Sequence, residues 1–236
     1  MASLAPIAVA LDVPDLDTAA RWASLVTPHV TTVKIGLELY LRYGPEAVAS
    51  IRGASAVDVF LDLKLHDIPA TVAAAVSAVA RLRPALLTVH ATAGAAALRA
   101  AAQAAPPGTT IVGVTVVTSL ADADLAQIGM AGPAGDAVRR LAVLAVSAGA
   151  RGLVCSPWEV AAVRAEVGPG ILLVTPGVRP AGADRHDQAR VATPEEAWAA
   201  GADLLVIGRP ITGAADPGAA AAAIAASVRK AAVAGR

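Results

Sequence analysis

A chain of 236 residues with 19 Lys and Arg against 19 Asp and Glu carries no formal net charge. No broad cationic field is therefore available to hold nucleic acid or an anionic membrane surface. Hydrophobic residues make up 56% and aromatics 3%, with much alanine, a composition suited to Ala-rich helices packed on a Val, Ile and Leu sheet in one large α/β domain.

Residues 1–11 are apolar, but Asp12 interrupts the run and the first basic residue is Arg21. A signal peptide needs a basic start, so none is expected. No apolar stretch reaches the roughly 18 residues of a membrane span. Cys155 is the single cysteine. It excludes an intramolecular disulfide, suits a reducing cytoplasm and, without a CxxC partner, reads as a small core residue.

Short, mostly apolar runs alternate with longer helical stretches. Strands are expected at 7–11, 32–35, 57–63, 86–90, 110–116, 152–155, 171–175 and 204–207. Each is apolar on both faces, as when helices cover one side and a packed interior the other. After the first strand, Leu16, Ala19, Ala20, Ala23 and Val26 trace one helical face, with Asp15 or Asp17 as its cap. Turns are expected at 106–108 and 168–170, and a final Ala-rich helix over 219–226. Eight βα units in a chain of this size predict a single-domain (β/α)8 TIM barrel over residues 1–236. A doubly wound open sheet is the rival, and it seldom needs so many regular units.

Polar residues at the C-terminal ends of barrel strands carry the chemistry of this fold. Asp12 ends the first strand. Lys34 lies inside the second, where a lysine is costly unless paired or facing a polar cavity; the alternative is a snorkelling surface lysine. The third strand reads Asp62-Leu63-Lys64-Leu65-His66-Asp67-Ile68-Pro69-Ala70-Thr71. Asp62 and Lys64, two apart, share one face, and Leu61, Leu63 and Leu65 take the other. Asp67 opens a helix with Pro69 in its first turn, and Asp67 and Thr71 are placed on one helical face. Singly, these charges have plain explanations: an ion pair for Asp62 with Lys64, an N-cap for Asp67. An alternating array in one cavity perturbs pKa values as catalytic sites require.

The segment 176–190 is much longer than the usual ~2–6-residue βα loop and carries Arg179, Arg185 and Arg190. It is expected to be either a lid over the mouth or a solvated surface loop. After the last strand, Gly208 and Arg209 open a short helix, a ready phosphate site at the place where barrels commonly bind one. His29, His66, His90 and His186 lack metal-ligand spacing, and no metal is expected. There is no dinucleotide fingerprint or Ser-centred nucleophile motif.

The stretch from Asp62 to Thr71 resembles the D-x-K-x-x-D-I-P-x-T signature of orotidine 5′-phosphate decarboxylases. The likeness extends to Ala10-Leu11-Asp12, Val33-Lys34-Ile35-Gly36, Val116-Val117-Thr118-Ser119, Thr175-Pro176-Gly177-Val178-Arg179-Pro180, Asp187-Gln188 and Ile207-Gly208-Arg209-Pro210-Ile211-Thr212. It implies a cytoplasmic, cofactor-free lyase that decarboxylates orotidine 5′-monophosphate to UMP, the last step of de novo UMP synthesis. Lys34, Asp62, Lys64 and Asp67 would form the charged array, with Lys64 protonating C6. Asp12 and Lys34 would bind ribose hydroxyls, and Thr118 and Ser119 would contact the pyrimidine. Arg179, Gln188, Gly208 and Arg209 would hold the phosphate. Asp67 and Thr71 would enter the partner's site in a homodimer. The nearest rival is an Mg²⁺-dependent sugar-phosphate decarboxylase or hexulose-phosphate aldolase of similar sequence. Those enzymes place a glutamate near the end of strand two, where this chain has Lys34-Ile35-Gly36, and lack Ile68-Pro69.

Overall fold

In the computed structural model, which describes residues 4–180 and 192–234, eight parallel strands close on themselves in chain order. They are β1 (Ala5–Ala10), β2 (Val30–Ile35), β3 (Asp58–Leu65), β4 (Leu86–His90), β5 (Thr110–Val114), β6 (Gly152–Val154), β7 (Leu172–Thr175) and β8 (Leu204–Ile207). β1 pairs with both β2 and β8, which closes the barrel. This is the (β/α)8 architecture that the alternating pattern predicts. The strand ends differ by at most two residues, most usefully at β3, which runs on through Lys64 to Leu65.

The strands divide their side chains between two cores. Inward, Ala8, Phe60, Leu86, Val112, Val174 and Leu204 fill the lower barrel. Phe60, the only phenylalanine, is 1% exposed, and burial of such a ring stabilises by roughly 1.5–3 kcal/mol. Outward, Ile7, Val9, Val33, Leu61, Leu87, Leu153, Leu173 and Leu205 meet the helical shell. Much of that shell's contact surface is alanine: Ala19 and Ala23 on the first helix, Ala137, Ala142 and Ala145 on the helix Ala134–Ser147. Alanine lets helices approach closely. At Gly113 in β5, an added Cβ would lie 2.8 Å from the Ala145 Cβ. Cys155 is fully buried here, as a small core residue should be.

The first helix, Leu16–Val26, is capped by Asp15, whose carboxylate accepts from the Thr18 N–H at 2.8 Å. The helix Pro69–Ala80 departs from expectation. Its N-cap is Ile68, with Pro69 in the first turn, while the Asp67 carboxylate accepts from the Ile68 N–H at 2.7 Å. Asp67 therefore stands outside the helix. An extended residue before proline is sterically favoured, which moves the cap to Ile68.

At the N-terminal ends of β7 and β8, Arg164 ties the two connections that enter these strands together. Its guanidinium donates to the carbonyls of Gly168 and Ile171 at 2.8 Å and of Gly201 at 3.0 Å. It also pairs with Asp203, which accepts from the Leu173 N–H at 2.8 Å. Among the described residues, no helix is long and apolar enough to cross a membrane.

Candidate active site

A cavity of about 490 Å³ opens at the C-terminal ends of the strands. Its two halves differ in chemistry. Asp12, Lys34, Asp62 and Lys64 line it from β1 to β3, whereas Val114, Val154, Val174 and Val206 line it from β5 to β8. Phe60 forms its floor, and Arg179 and Arg209 stand at its rim. A groove of about 640 Å³ on the helical shell is larger but is lined by Arg99, Arg139 and Glu166 rather than by strand ends.

The charges in the cavity alternate. Lys34 Nζ lies 3.3 Å from Asp12 Oδ1 and 3.4 Å from Asp62 Oδ2, and Lys64 Nζ lies 2.8 Å from the same Asp62 oxygen. Lys34 and Asp62 are buried, while the Lys64 side chain is one-third exposed and Asp12 is open. Burial alone would push the Asp62 carboxyl up. The charges of Lys34 and Lys64, with hydrogen bonds from Lys64 and Thr88, outweigh burial and hold it below the usual carboxylate range.

The local backbone explains how Lys64 reaches this position. Leu61 pairs with Leu87 and Leu65 with Val89, so β3 advances four residues while β4 advances two. This bulge places Lys64 in the left-handed region, at φ 48°, a conformation that costs a non-glycine residue roughly 1–2 kcal/mol. The Lys64 N–H donates to Thr88 Oγ1 at 2.8 Å, and that hydroxyl donates to Asp62 Oδ1 at 3.0 Å. Gly36 is constrained from the other side. A Cβ there would fall 2.7 Å from Asp12 Oδ1 and 3.1 Å from Lys34 Nζ.

Of the residues expected at the site, Asp12, Lys34, Asp62, Lys64, Thr118, Arg179, Gly208 and Arg209 share this one cavity. Thr118 and Arg179 are buried, and Gly208 opens the short helix Arg209–Thr212. Ser119 is exposed and outside the cavity lining, because β5 ends at Val114 and the chain turns away after Thr118. Asp67 and Thr71 are likewise exposed and do not line their own chain's cavity. Gln188, Arg185, Arg190 and His186 lie outside the described residues. The described stems of their segment meet in a bridge between Val178 and Ala192, where the Arg179 N–H donates to the Ala192 carbonyl at 2.9 Å. His90 is half-buried, with its ring 5.5 Å from that of His66. Burial, then His66 and Lys64, hold its pKa below the ordinary imidazole value.

Sequence reasoning passed over Thr88 and used Gly36 only as part of a motif. The signal for Thr88 was available: a polar residue two before His90, in an otherwise apolar strand beside the one that carries Asp62.

The chain matches the family model described as orotidine 5′-phosphate decarboxylase / HUMPS family over residues 5–224. It is 70% identical to an orotidine 5′-phosphate decarboxylase of Thermobifida fusca, covering 96% of this chain and 97% of that one. It is 57% identical to one of Frankia casuarinae, covering 95% and 88%. The crystal structure of orotidine 5′-phosphate decarboxylase from Lactobacillus acidophilus superposes with a TM-score of 0.83 at 35% identity, covering 95% of this chain and 99% of that one. With the alternating charges at the mouth of a closed eight-stranded barrel, these matches place the chain in the orotidine 5′-phosphate decarboxylase / HUMPS family.

Proposed function

We propose that the chain is a carboxy-lyase that converts orotidine 5′-monophosphate to UMP, the last step of de novo UMP synthesis, with Lys64 as proton donor and no cofactor. Family membership and the 70% and 57% identical relatives support the reaction. The observation that carries the mechanism is the unbroken run Asp12–Lys34–Asp62–Lys64 in one cavity.

Heterolysis of the bond between C6 and its carboxylate releases CO2 and leaves the electron pair on C6. No delocalising group receives it. An ammonium held in advance beside C6 stabilises that charge as it develops, at no reorganisation cost. The Lys64 proton then forms the C6–H bond. Asp62 holds the Lys64 ammonium in place through the 2.8 Å ion pair, and its negative charge disfavours a second carboxylate nearby in the ground state. Asp12 and Lys34 hold ribose hydroxyls; Thr118, which lines the cavity, contacts the pyrimidine; Arg179, Gln188, Gly208 and Arg209 hold the phosphate. Binding energy gathered far from C6 then lowers the barrier.

The exposure of Asp67 and Thr71, outside their own cavity, supports their completing the site of a second copy in a homodimer. The enzyme acts as one catalytic domain over residues 1–236, in the cytoplasm. The Mg²⁺-dependent sister reactions are disfavoured because they place a glutamate near the end of strand two, where this chain has Lys34, a cation paired with both Asp12 and Asp62.

The test is the loss of substrate absorbance with purified protein in EDTA. Full turnover is expected, and a strict need for Mg²⁺ would transfer the chain to the sister chemistry. Mixing inactive Lys64→Ala and Asp67→Ala proteins under subunit exchange should restore about a quarter of the sites, by counting from twofold symmetry. No recovery, with exchange verified, would mean that each site is built from one chain.

A further inference from the structure

We propose that Thr88 is a positioning residue for the reaction, acting through one hydroxyl that fixes both the backbone of Lys64 and the carboxylate of Asp62. The inference rests on the role proposed above for Lys64 and Asp62. Thr88 is fully buried in β4 and lines up, beneath His90, with the bulged part of β3. Its hydroxyl accepts from the Lys64 N–H at 2.8 Å and donates to Asp62 Oδ1 at 3.0 Å.

The proton assignment is forced. An amide nitrogen can only donate and an ionised carboxylate can only accept, so the group between them must do both. Serine and threonine hydroxyls do so; alanine and valine side chains do not. The bulge breaks the β3–β4 ladder at Lys64, and the Thr88 hydroxyl takes the place of the missing ladder carbonyl. Its donation to Oδ1 fixes the rotation of the Asp62 carboxylate and keeps Oδ2 toward both lysines, 2.8 Å from Lys64 and 3.4 Å from Lys34. Without that hydroxyl the carboxylate is free to turn, and Lys64 loses the bond that holds its left-handed backbone. Misplacement of a reacting group by about 1 Å costs on the order of a hundredfold in rate.

The experiment compares Thr88→Val, Thr88→Ser and Thr88→Cys with the unaltered enzyme, using calorimetric UMP binding to count competent sites. Thr88→Val should lose at least about thirtyfold in kcat per site, and KM should stay within about threefold, since Thr88 lies below the cavity lining. Thr88→Ser should stay within about threefold of the unaltered kcat, because it keeps the hydroxyl. A packing role alone would predict the reverse, as Val keeps the branched shape that Ser lacks. Should Thr88→Val fail to fold, Thr88→Cys serves: it is close to Ser in shape but only a weak donor and acceptor, and its kcat should fall well below that of Thr88→Ser. Equal kcat for the hydroxyl-bearing and hydroxyl-lacking variants would overturn the proposal. Lys64→Ala is run alongside. If it turns over normally, the reading of Lys64 fails and takes this proposal with it. If it is inactive while Thr88→Val is fully active, only the role of Thr88 falls.

Discussion

Arg164 and Lys64 are both cations paired with an aspartate at an end of the barrel, yet they are used in opposite ways. Arg164 directs its guanidinium to three backbone carbonyls and Asp203, so its donors end on the protein that they hold together. Lys64 gives one short bond to Asp62 and leaves a one-third exposed ammonium facing a cavity. The first arrangement sits at the N-terminal ends of β7 and β8, the second at the C-terminal end of β3. Satisfied charge makes structure; charge held in place but left open toward a cavity makes a site. The polarity of the barrel decides which end does which.

The contrast is sharpest at Lys64. On the proposed mechanism, Lys64→Ala removes the electrostatic stabiliser and the proton donor together, each worth about a hundredfold or more. Turnover should fall by at least about four orders of magnitude, while the thermal midpoint and UMP binding largely persist. Near-normal turnover, measured by substrate absorbance, would remove Lys64 from its role. Arg164→Ala should do the reverse. Several charge-assisted bonds are lost at a partly buried position, so urea denaturation should show a loss of roughly 2–4 kcal/mol. The kcat of the folded fraction should change by less than about twofold, since the clamp lies far from the charged array. A large fall in kcat without a loss of stability would erase the distinction between the two ends.

Smaller effects refine it. In Gly36→Ala the new Cβ forces Asp12 to move, because the carboxylate is the flexible party in the contact. If Asp12 holds the ribose as proposed, KM should rise by about tenfold with the loss of one charged hydrogen bond, and stability should change by less than about 1 kcal/mol. An unchanged KM would take Asp12 out of substrate binding. The slightest effect is in pH. The Asp62 carboxyl is held below its usual range, so its contribution to stability is present above the unfolded carboxyl value, about 3.9. That contribution is lost only as pH falls through the lower folded value. No acid limb in kcat/KM should therefore arise from Asp62 between pH 7 and about 4.5. In Lys34→Met burial gains against the remaining favourable charge, and a limb should emerge at higher pH. A limb at the same pH in both proteins would belong to another group.

Much of this was legible in the sequence. Strand positions follow from short β-branched runs, and the same-face placement of Asp62 and Lys64 follows from the strand period alone. What period cannot give is register. The two residues by which β3 outruns β4 depend on pairing between strands, and that offset brings Thr88 under Lys64. The cap at Ile68 rather than Asp67 came from a local competition that proline decides. Ser119 was expected with Thr118 from the resemblance of Val116-Val117-Thr118-Ser119, but where a chain turns after its strand is a tertiary matter. The emptiness required at Gly36 is visible only when Asp12 and Lys34, from two strands, are seen to meet over it.

The alanine lining between helices and barrel has a consequence for heat. An alanine side chain has no rotamers to lose on folding, so ordering this layer costs less side-chain entropy than ordering leucines would. It also hides less apolar area per residue, and the heat capacity of unfolding scales with that area. The stability of this chain should therefore vary less with temperature than that of a barrel of equal length with larger side chains in the same layer. Its curve should be low and broad rather than tall and narrow, with a correspondingly gradual loss of stability on cooling as well as on warming.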